Sequence, residues 1–298
     1  MQIVASEFGQ AWSAFNTSQG DDNIMRCRRD PRQRIAASLL AALFTLAFTP
    51  QQAWTQGSVL PGYRFVQFDP PGSGTVQYSG TEAVSINSRG AFTGYVVDSG
   101  YGTHGFLRSP DGAITVFDAP GADSVIGGTY PAGINDRGVI AGTSYDRYAV
   151  AHGFLRNPDG TFIVFDVPGV SPGVSNYLGT APQSINSRGE IAGIYEGADL
   201  VGHGFFRAPD GTITVFDNPA EGVGANQGTW GFGINDRGEI AGSVTDPAGG
   251  SHGFVRSTKG VFSNFDFPGE TSTAFNDALI NNQGVVAGYY ATPTGSVA

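Results

Sequence analysis

Short runs of alternating apolar and polar residues, separated by turn-forming residues, follow one another along the chain. Gly204 to Arg207 and Thr212 to Asp217 are two such runs, and they flank Pro209-Asp210-Gly211. Proline presets φ for a tight turn and glycine accepts φ > 0, so this stretch predicts a β-hairpin.

A second hairpin follows in the same stretch. Gly231 to Ile234 and Glu239 to Val244 flank Asn235-Asp236-Arg237-Gly238, which has the same turn chemistry. No segment after residue 50 carries apolar residues at helical spacing over three turns. The pattern therefore predicts an all-β chain after its N-terminal segment.

The hairpins belong to a tandem repeat. All four histidines begin the triplet His-Gly-Phe, at intervals of 48, 51 and 49 residues, and a Phe-Asp pair and an Ile-Asn pair keep nearly the same step. The markers are His104, His152, His203 and His252; Asp69, Asp118, Asp166, Asp217 and Asp266; and Asn87, Asn135, Asn186, Asn235 and Asn281. Five units of roughly 49 residues fill the chain from about Tyr63 onward.

Four short strands in each of about five units predict a β-propeller, with one phenylalanine of His-Gly-Phe and one of Phe-Asp packing between blades. A stacked β-solenoid is the competing architecture, although solenoid repeats are usually shorter. The chain stops where a sixth His-Gly-Phe would begin. This end fits either a closed five-bladed ring or a truncated reading frame.

Residues 1–53 have the features of an export signal. Five arginines precede the apolar run from Ile35 to Phe48, which is too short to span a bilayer as a helix. The true start is either Met1 or Met25. We expect cleavage near Ala53, which leaves 54–298 as the propeller domain without its only cysteine, Cys27.

Charge and hydrophobicity limit the classes of partner that we expect for the chain after residues 1–53 are removed. Removal of residues 1–53 leaves 11 basic against 22 acidic residues, so nucleic acid and anionic membrane surfaces are excluded. No segment after Ala53 is apolar enough to span a membrane. We expect a secreted or periplasmic monomer.

The recurring His, Asp and Asn markers are interpreted as scaffold, because every blade must solve the same packing problem. We expect each Phe-Asp carboxylate to accept N–H groups of the following turn and each histidine to be hydrogen-bonded at a strand start. A ring of zinc ligands is rejected because the histidines would lie too far apart, and a calcium ladder is absent. Neither a metal nor a cofactor is expected.

No catalytic constellation is identified. The stretch Gly169-Val170-Ser171-Pro172-Gly173 matches a nucleophile elbow by letter, but no helix follows it. An enzyme would instead require non-repeated acids to converge at the channel mouth. The acids considered for that role are Glu82, Glu196, Asp199 and Glu221.

Variation between units is concentrated in the segment from Phe-Asp to Ile-Asn, where each copy carries an aromatic residue. These residues are Tyr78, Tyr130, Tyr177, Trp230 and Phe275. Aromatic rings on one face of an acidic propeller would suit stacking on sugars or binding of extended peptides. The alternative is that they cap the core beneath a long loop.

The composite motif resembles a known family. Gly128 to Gly142, followed by His152 to Arg156, resembles the bacterial extracellular HAF-repeat proteins, with His-Gly-Phe in place of His-Ala-Phe. The resemblance covers about Tyr63 to Ala298 and implies an exported repeat protein without an assigned activity. We therefore expect a non-catalytic binding module for carbohydrate or, second, protein; a glycan hydrolase or lyase and a structural envelope protein remain the alternatives.

Overall fold

The computed structural model describes Gln2–Val4 and residues 64–169, 179–197, 199–266 and 276–289. The segment 1–53, predicted to be an export signal, lies outside the described residues apart from Gln2–Val4. The chain divides into two compact units. In the described part of the first, β1 (Gln2–Val4) pairs in parallel with β2 (Arg64–Val66). The second unit contains the repeats.

The repeats form antiparallel sheets in which consecutive strands are neighbours. The first sheet contains β3 (Gly80–Ile86), β4 (Phe92–Val97), β5 (Thr103–Arg108) and β6 (Ile114–Phe117), and the second contains β7 (Gly128–Ile134), β8 (Ile140–Tyr145), β9 (Ala151–Arg156) and β10 (Phe162–Phe165).

The third set contains β11 (Thr180–Ile185), β12 (Ile191–Glu196), β13 (Gly202–Arg207) and β14 (Ile213–Phe216), and the fourth contains β15 (Gly228–Ile234), β16 (Ile240–Thr245), β17 (Ser251–Arg256) and β18 (Phe262–Phe265). A fifth unit contributes the pair β19 (Asn276–Ile280) and β20 (Val286–Tyr289). The prediction of an all-β repeat with four short strands per unit is confirmed.

Both hairpins predicted from the sequence are present. β13 pairs β14, and β15 pairs β16. β13 also pairs along its whole length with β12, whereas a single bridge, Gly202 to Gly228, joins it to β15 and links the third and fourth sets into one eight-stranded sheet. Each four-stranded set therefore starts at the strand with a recurring Gly-Thr pair, and the His-Gly-Phe strand is its third. The pairs are Gly80-Thr81, Gly128-Thr129, Gly179-Thr180 and Gly228-Thr229.

The Gly-Thr pair brings one sheet close to the next. A Cβ atom on Gly228 would lie 2.1 Å from the carbonyl oxygen of Gly202, so only glycine permits this approach. The hydroxyl of the buried Thr229 accepts the N–H of Asn218 at 2.8 Å. Thr129 and Thr180 make the same bond to Ala119 and Val167.

The core lies between successive sheets. The phenylalanines of the four His-Gly-Phe triplets are completely buried; they are Phe106, Phe154, Phe205 and Phe254. Phe154 packs with Phe117 of the preceding sheet and with Ile134 and Ile140 of its own. Burial of a phenylalanine contributes about 1.5–3 kcal/mol, so these contacts hold neighbouring sheets together.

Arginine side chains also pack at the interface between successive sheets. The guanidinium of Arg156 lies 4.9 Å from the ring centre of Phe117 in the preceding sheet, and Arg207 lies 4.7 Å from Phe165. Both arginines are buried, and burial lowers their pKa. Packing of the Phe-Asp phenylalanine between units, expected from the sequence, is therefore observed together with an arginine partner.

The Ile-Asn turns form a hydrogen-bonded ladder across the sheets. The side-chain amide of Asn135 donates to the main-chain oxygen of Asn186 at 3.2 Å, and Asn186 donates to that of Asn235 at 3.0 Å. The flanking steps, Asn87 to Asn135 and Asn235 to Asn281, are both 3.0 Å. Four steps thus connect all five units.

A cavity of about 320 Å³ is bordered by the Ile-Asn turns of all five units. Equivalent residues from every unit therefore border one cavity. We call this end of the strands the Asn face. The opposite end, where the four histidines lie, is called the His face.

Candidate functional site

Each histidine on the His face is paired with the aspartate of its own Phe-Asp marker. The distances from imidazole Nδ1 to the carboxylate are 2.9 Å for His104 and Asp118, 2.9 Å for His152 and Asp166, 2.8 Å for His203 and Asp217 and 2.7 Å for His252 and Asp266. The sequence pattern predicted N–H groups of the following turn as partners of these carboxylates. The partner found is the imidazole on the neighbouring strand, fourteen residues earlier.

A second aspartate faces the other ring nitrogen in three units. The distances from Nε2 are 3.5 Å for His104 to Asp98, 3.7 Å for His152 to Asp146 and 3.4 Å for His252 to Asp246. Sequence reasoning missed these acids. The available signal was an aspartate six residues before the histidine in three of the four triplets.

Local hydrogen bonds hold the second aspartates in place. One oxygen of Asp146 accepts the N–H groups of Tyr148 and Val150 at 2.8 and 2.9 Å. The pKa of Asp146 is lowered, because these bonds and the charge of His152 outweigh its partial burial. The carboxylate is therefore ionised before it meets a ligand.

In the second and fourth units, the two flanking carboxylates stabilise the protonated imidazole. The hydrogen bond to Asp166 is the main reason for the raised pKa of His152, and the charge of Asp146 adds to it. Burial opposes protonation of His252, but the bonds to Asp266 and Asp246 outweigh it and raise its pKa as well.

His152 borders an open groove of about 600 Å³. Asp146, Arg147 and Tyr148 from the β8–β9 loop form one side, with His152 and Asp166 beside them. Residues 120–123, after β6, form the other side. The groove therefore contains residues from two successive sheets, with carboxylates, a guanidinium and an aromatic ring within one depression.

Tyr148 is the aromatic residue of this groove, and 57% of its surface is exposed. The guanidinium of Arg147 lies 4.7 Å from the ring centre, and its N–H donates to the phenolic oxygen at 2.6 Å. Sequence reasoning missed Tyr148, because the β8–β9 loop lies outside the segment whose length varies between units.

The aromatic residues predicted to form a ring do not occupy equivalent positions in their units. Tyr130 and Trp230 are equivalent residues on β7 and β15, each four residues before the isoleucine of Ile-Asn, whereas Tyr78 precedes β3 and is 66% exposed. Tyr177 and Phe275 lie outside the described residues. A common ring of stacking surfaces is therefore not formed by the three aromatics that the structure describes.

Tyr130 and Trp230 both pack against the preceding sheet. The ring of Tyr130 lies 5.0 Å from that of Tyr95, and its hydroxyl donates to Thr103 at 3.3 Å. Trp230 lies over Gly202, where a Cβ atom would stand 2.7 Å from the indole. Both rings thus cap the interface between sheets.

The four non-repeated acids are spread across the sheets. Glu82 on β3 accepts the hydroxyl of Tyr95, and Glu196 at the end of β12 accepts a bond from Trp230. Asp199 lies in the following loop, and Glu221 accepts the Thr229 hydroxyl at 2.6 Å. None of the four borders the five-unit cavity, where the acids are Asp136 and Asp236.

Charge is strongly segregated between the two ends of the strands. Within the described repeats, Arg147 is the single arginine or lysine of the His face, beside the four histidines; the others, Arg89, Arg108, Arg137, Arg156, Arg188, Arg207, Arg237, Arg256 and Lys259, lie at the Asn face. Carboxylates of the His face include Asp98, Asp118, Asp123, Asp146, Asp166, Asp199, Asp217, Glu221, Asp246 and Asp266. Carboxylates therefore outnumber basic groups on this face, and a surface with an excess of negative charge attracts cations and repels anions.

Comparison with known proteins gives no family assignment: no protein-family model matches the chain, and no curated protein matches it at a significant level. Among the residues described, none forms a helix that is long and apolar enough to cross a bilayer.

Proposed function

We propose that the protein is an exported, non-catalytic binding module that recognises carbohydrate on its His face. We further propose that its five units close into a propeller. The cavity bordered by all five Ile-Asn turns supports closure, because equivalent residues of every unit lie around one axis. The signal-like segment 1–53 and the similarity to HAF-repeat proteins support export.

The groove beside His152 carries the functional proposal. Its volume of about 600 Å³ falls in the usual range of small-molecule sites, about 300–1,000 Å³. Asp146 offers an ionised acceptor for sugar hydroxyls, Asp166 offers further carboxylate oxygens, and Arg147 offers donors. The exposed ring of Tyr148 adds an apolar surface of the kind on which sugar rings pack.

The charge of the His face narrows the carbohydrate class. Arg147 is the one arginine or lysine there within the described repeats, and carboxylates outnumber it and the four histidines. Uronic or sulfated glycans would be repelled by this field. Neutral glycans or glycans with free amino groups fit it better.

A binding role is favoured over catalysis by the use made of the imidazoles. Each is held by the carboxylate of its own unit in the same arrangement, which is how a repeated scaffold element behaves. Asp146 keeps its charge through main-chain N–H groups, so the groove contains fixed acceptors rather than a poised acid and base pair.

The test is binding of the purified protein to an array of neutral, amino and acidic polysaccharides, with release of reducing sugar measured in the same wells. We expect binding of neutral or amino glycans without turnover and its loss in Tyr148→Ala. Tyr101→Ala is the matched control, because Tyr101 has the same exposure, 57%, in the corresponding loop of the first sheet. Turnover, or equal loss in both variants, would refute the proposal.

A further inference from the structure

We propose that His203, Asp217 and Glu221 form a binding site for one divalent transition-metal ion, such as Zn²⁺, on the His face. His203 lies on β13, Asp217 directly follows β14, and Glu221 lies in the loop that leads to β15. One ligand atom of each residue lies within 4.8 Å of those of the other two. The site is separate from the groove and does not depend on its function.

The third unit departs from the pattern of the other units at this point. Where Asp98, Asp146 and Asp246 face Nε2 in the other units, the third unit has Gly197, six residues before His203. The third unit has a different carboxylate near its histidine, that of Glu221, four residues after Asp217. The residue four after Asp118 in the first unit is Ala122.

The carboxylates of Asp217 and Glu221 lie beside one imidazole, and one ligand atom of each of the three residues lies within 4.8 Å of the others. Glu221 also accepts the hydroxyl of Thr229 at 2.6 Å, which holds its side chain in place. A dication between the carboxylates would remove their repulsion, and the acidic His face would raise its local concentration.

The donor set suits zinc. One imidazole nitrogen and two carboxylate oxygens, at about 2.0–2.2 Å from the ion, would leave a position for water. Metal binding would replace the hydrogen bond between Nδ1 of His203 and Asp217, which lie 2.8 Å apart. Tyr195 stacks on the imidazole at 4.8 Å and fixes the plane of the ring.

Calorimetric titration of the intact, chelator-treated protein with ZnCl₂ tests the site. We expect one ion per chain and a loss of affinity of at least about tenfold in Glu221→Gln. Glutamine keeps the size of the side chain and an oxygen that can accept the Thr229 hydroxyl, so the fold should be retained. Thermal unfolding without metal checks this point.

Asp118→Asn is the matched control, because it alters a His-Asp pair whose unit has Ala122 in place of the glutamate. Its zinc affinity should equal that of the parent protein. The proposal is overturned if no saturable binding is found, if Glu221→Gln binds as tightly as the parent, or if both variants lose affinity equally.

Discussion

The ring of Phe216 lies against Gly204 so closely that a Cβ atom on this glycine would stand 2.2 Å from the ring. The two residues face each other across β13 and β14. The same closeness recurs at Gly105 and Phe117, with 2.6 Å between the added atom and the ring. Glycine in the His-Gly-Phe triplet is therefore required by the aromatic ring beside it.

Gly204→Ala should destabilise the protein by about 1–3 kcal/mol, because the ring must leave its packed position. Urea denaturation followed by fluorescence measures this loss. Gly100→Ala is the control, since the nearest atom to an added Cβ is 3.3 Å away on the exposed Asp98 side chain. A loss in Gly204→Ala no larger than in the control would show that Phe216 adjusts freely.

Asn186→Ala should cost about 1–3 kcal/mol, because buried groups in two sheets lose their partners. The Asn186 oxygen accepts the N–H groups of Arg188 and Glu190, and its amide donates to the Asn235 carbonyl oxygen. Equilibrium unfolding provides the measurement. Asn281→Ala, at the exposed last step of the ladder, should cost less; the reverse order would contradict the role of the ladder between units.

Stability should fall as the pH rises above about 6.5, the ordinary pKa of histidine. The pKa of His152 is raised in the folded state by the bond to Asp166, so its contribution is complete below the unfolded value and is lost as pH rises through the folded one. Asp146 affects stability at acidic pH. Its contribution to the free energy of unfolding is lost as the pH falls through its lowered pKa.

His152→Gln should reduce the dependence of unfolding free energy on pH above 6.5. Denaturation at a series of pH values measures the slope. Tyr148→Phe serves as the control, because it changes a neighbouring group without altering the imidazole. An unchanged slope in His152→Gln would mean that this histidine does not link protonation to folding.

The strands and hairpins could be predicted from the sequence because their signals are local. Turn residues such as Pro209 to Gly211 and Asn235 to Gly238 lie directly between the strands that they join. The grouping of strands into sets of four could not be predicted, because it depends on β13 pairing along its whole length with β12 and at only one bridge with β15. That choice is made by contacts between residues far apart in the chain.

The candidate site shows the same limit. The repeated histidines stand out in the sequence. Their aspartate partners, such as Asp166 for His152, lie fourteen residues further along the chain, after another strand. Tyr148 was missed because it occurs in a loop of constant length. Conversely, Tyr130 and Trp230 stood out by their type, although their rings pack between sheets.

The asparagine ladder also bears on how such a chain can change over generations. Each Asn amide donates to the same backbone atom of the next unit, so every internal unit supplies one donor and one acceptor. Stability in such arrays is a sum over neighbours. Duplication or deletion of one whole repeat in the gene would leave all remaining donors matched, whereas an insertion inside a turn would break the ladder on both sides.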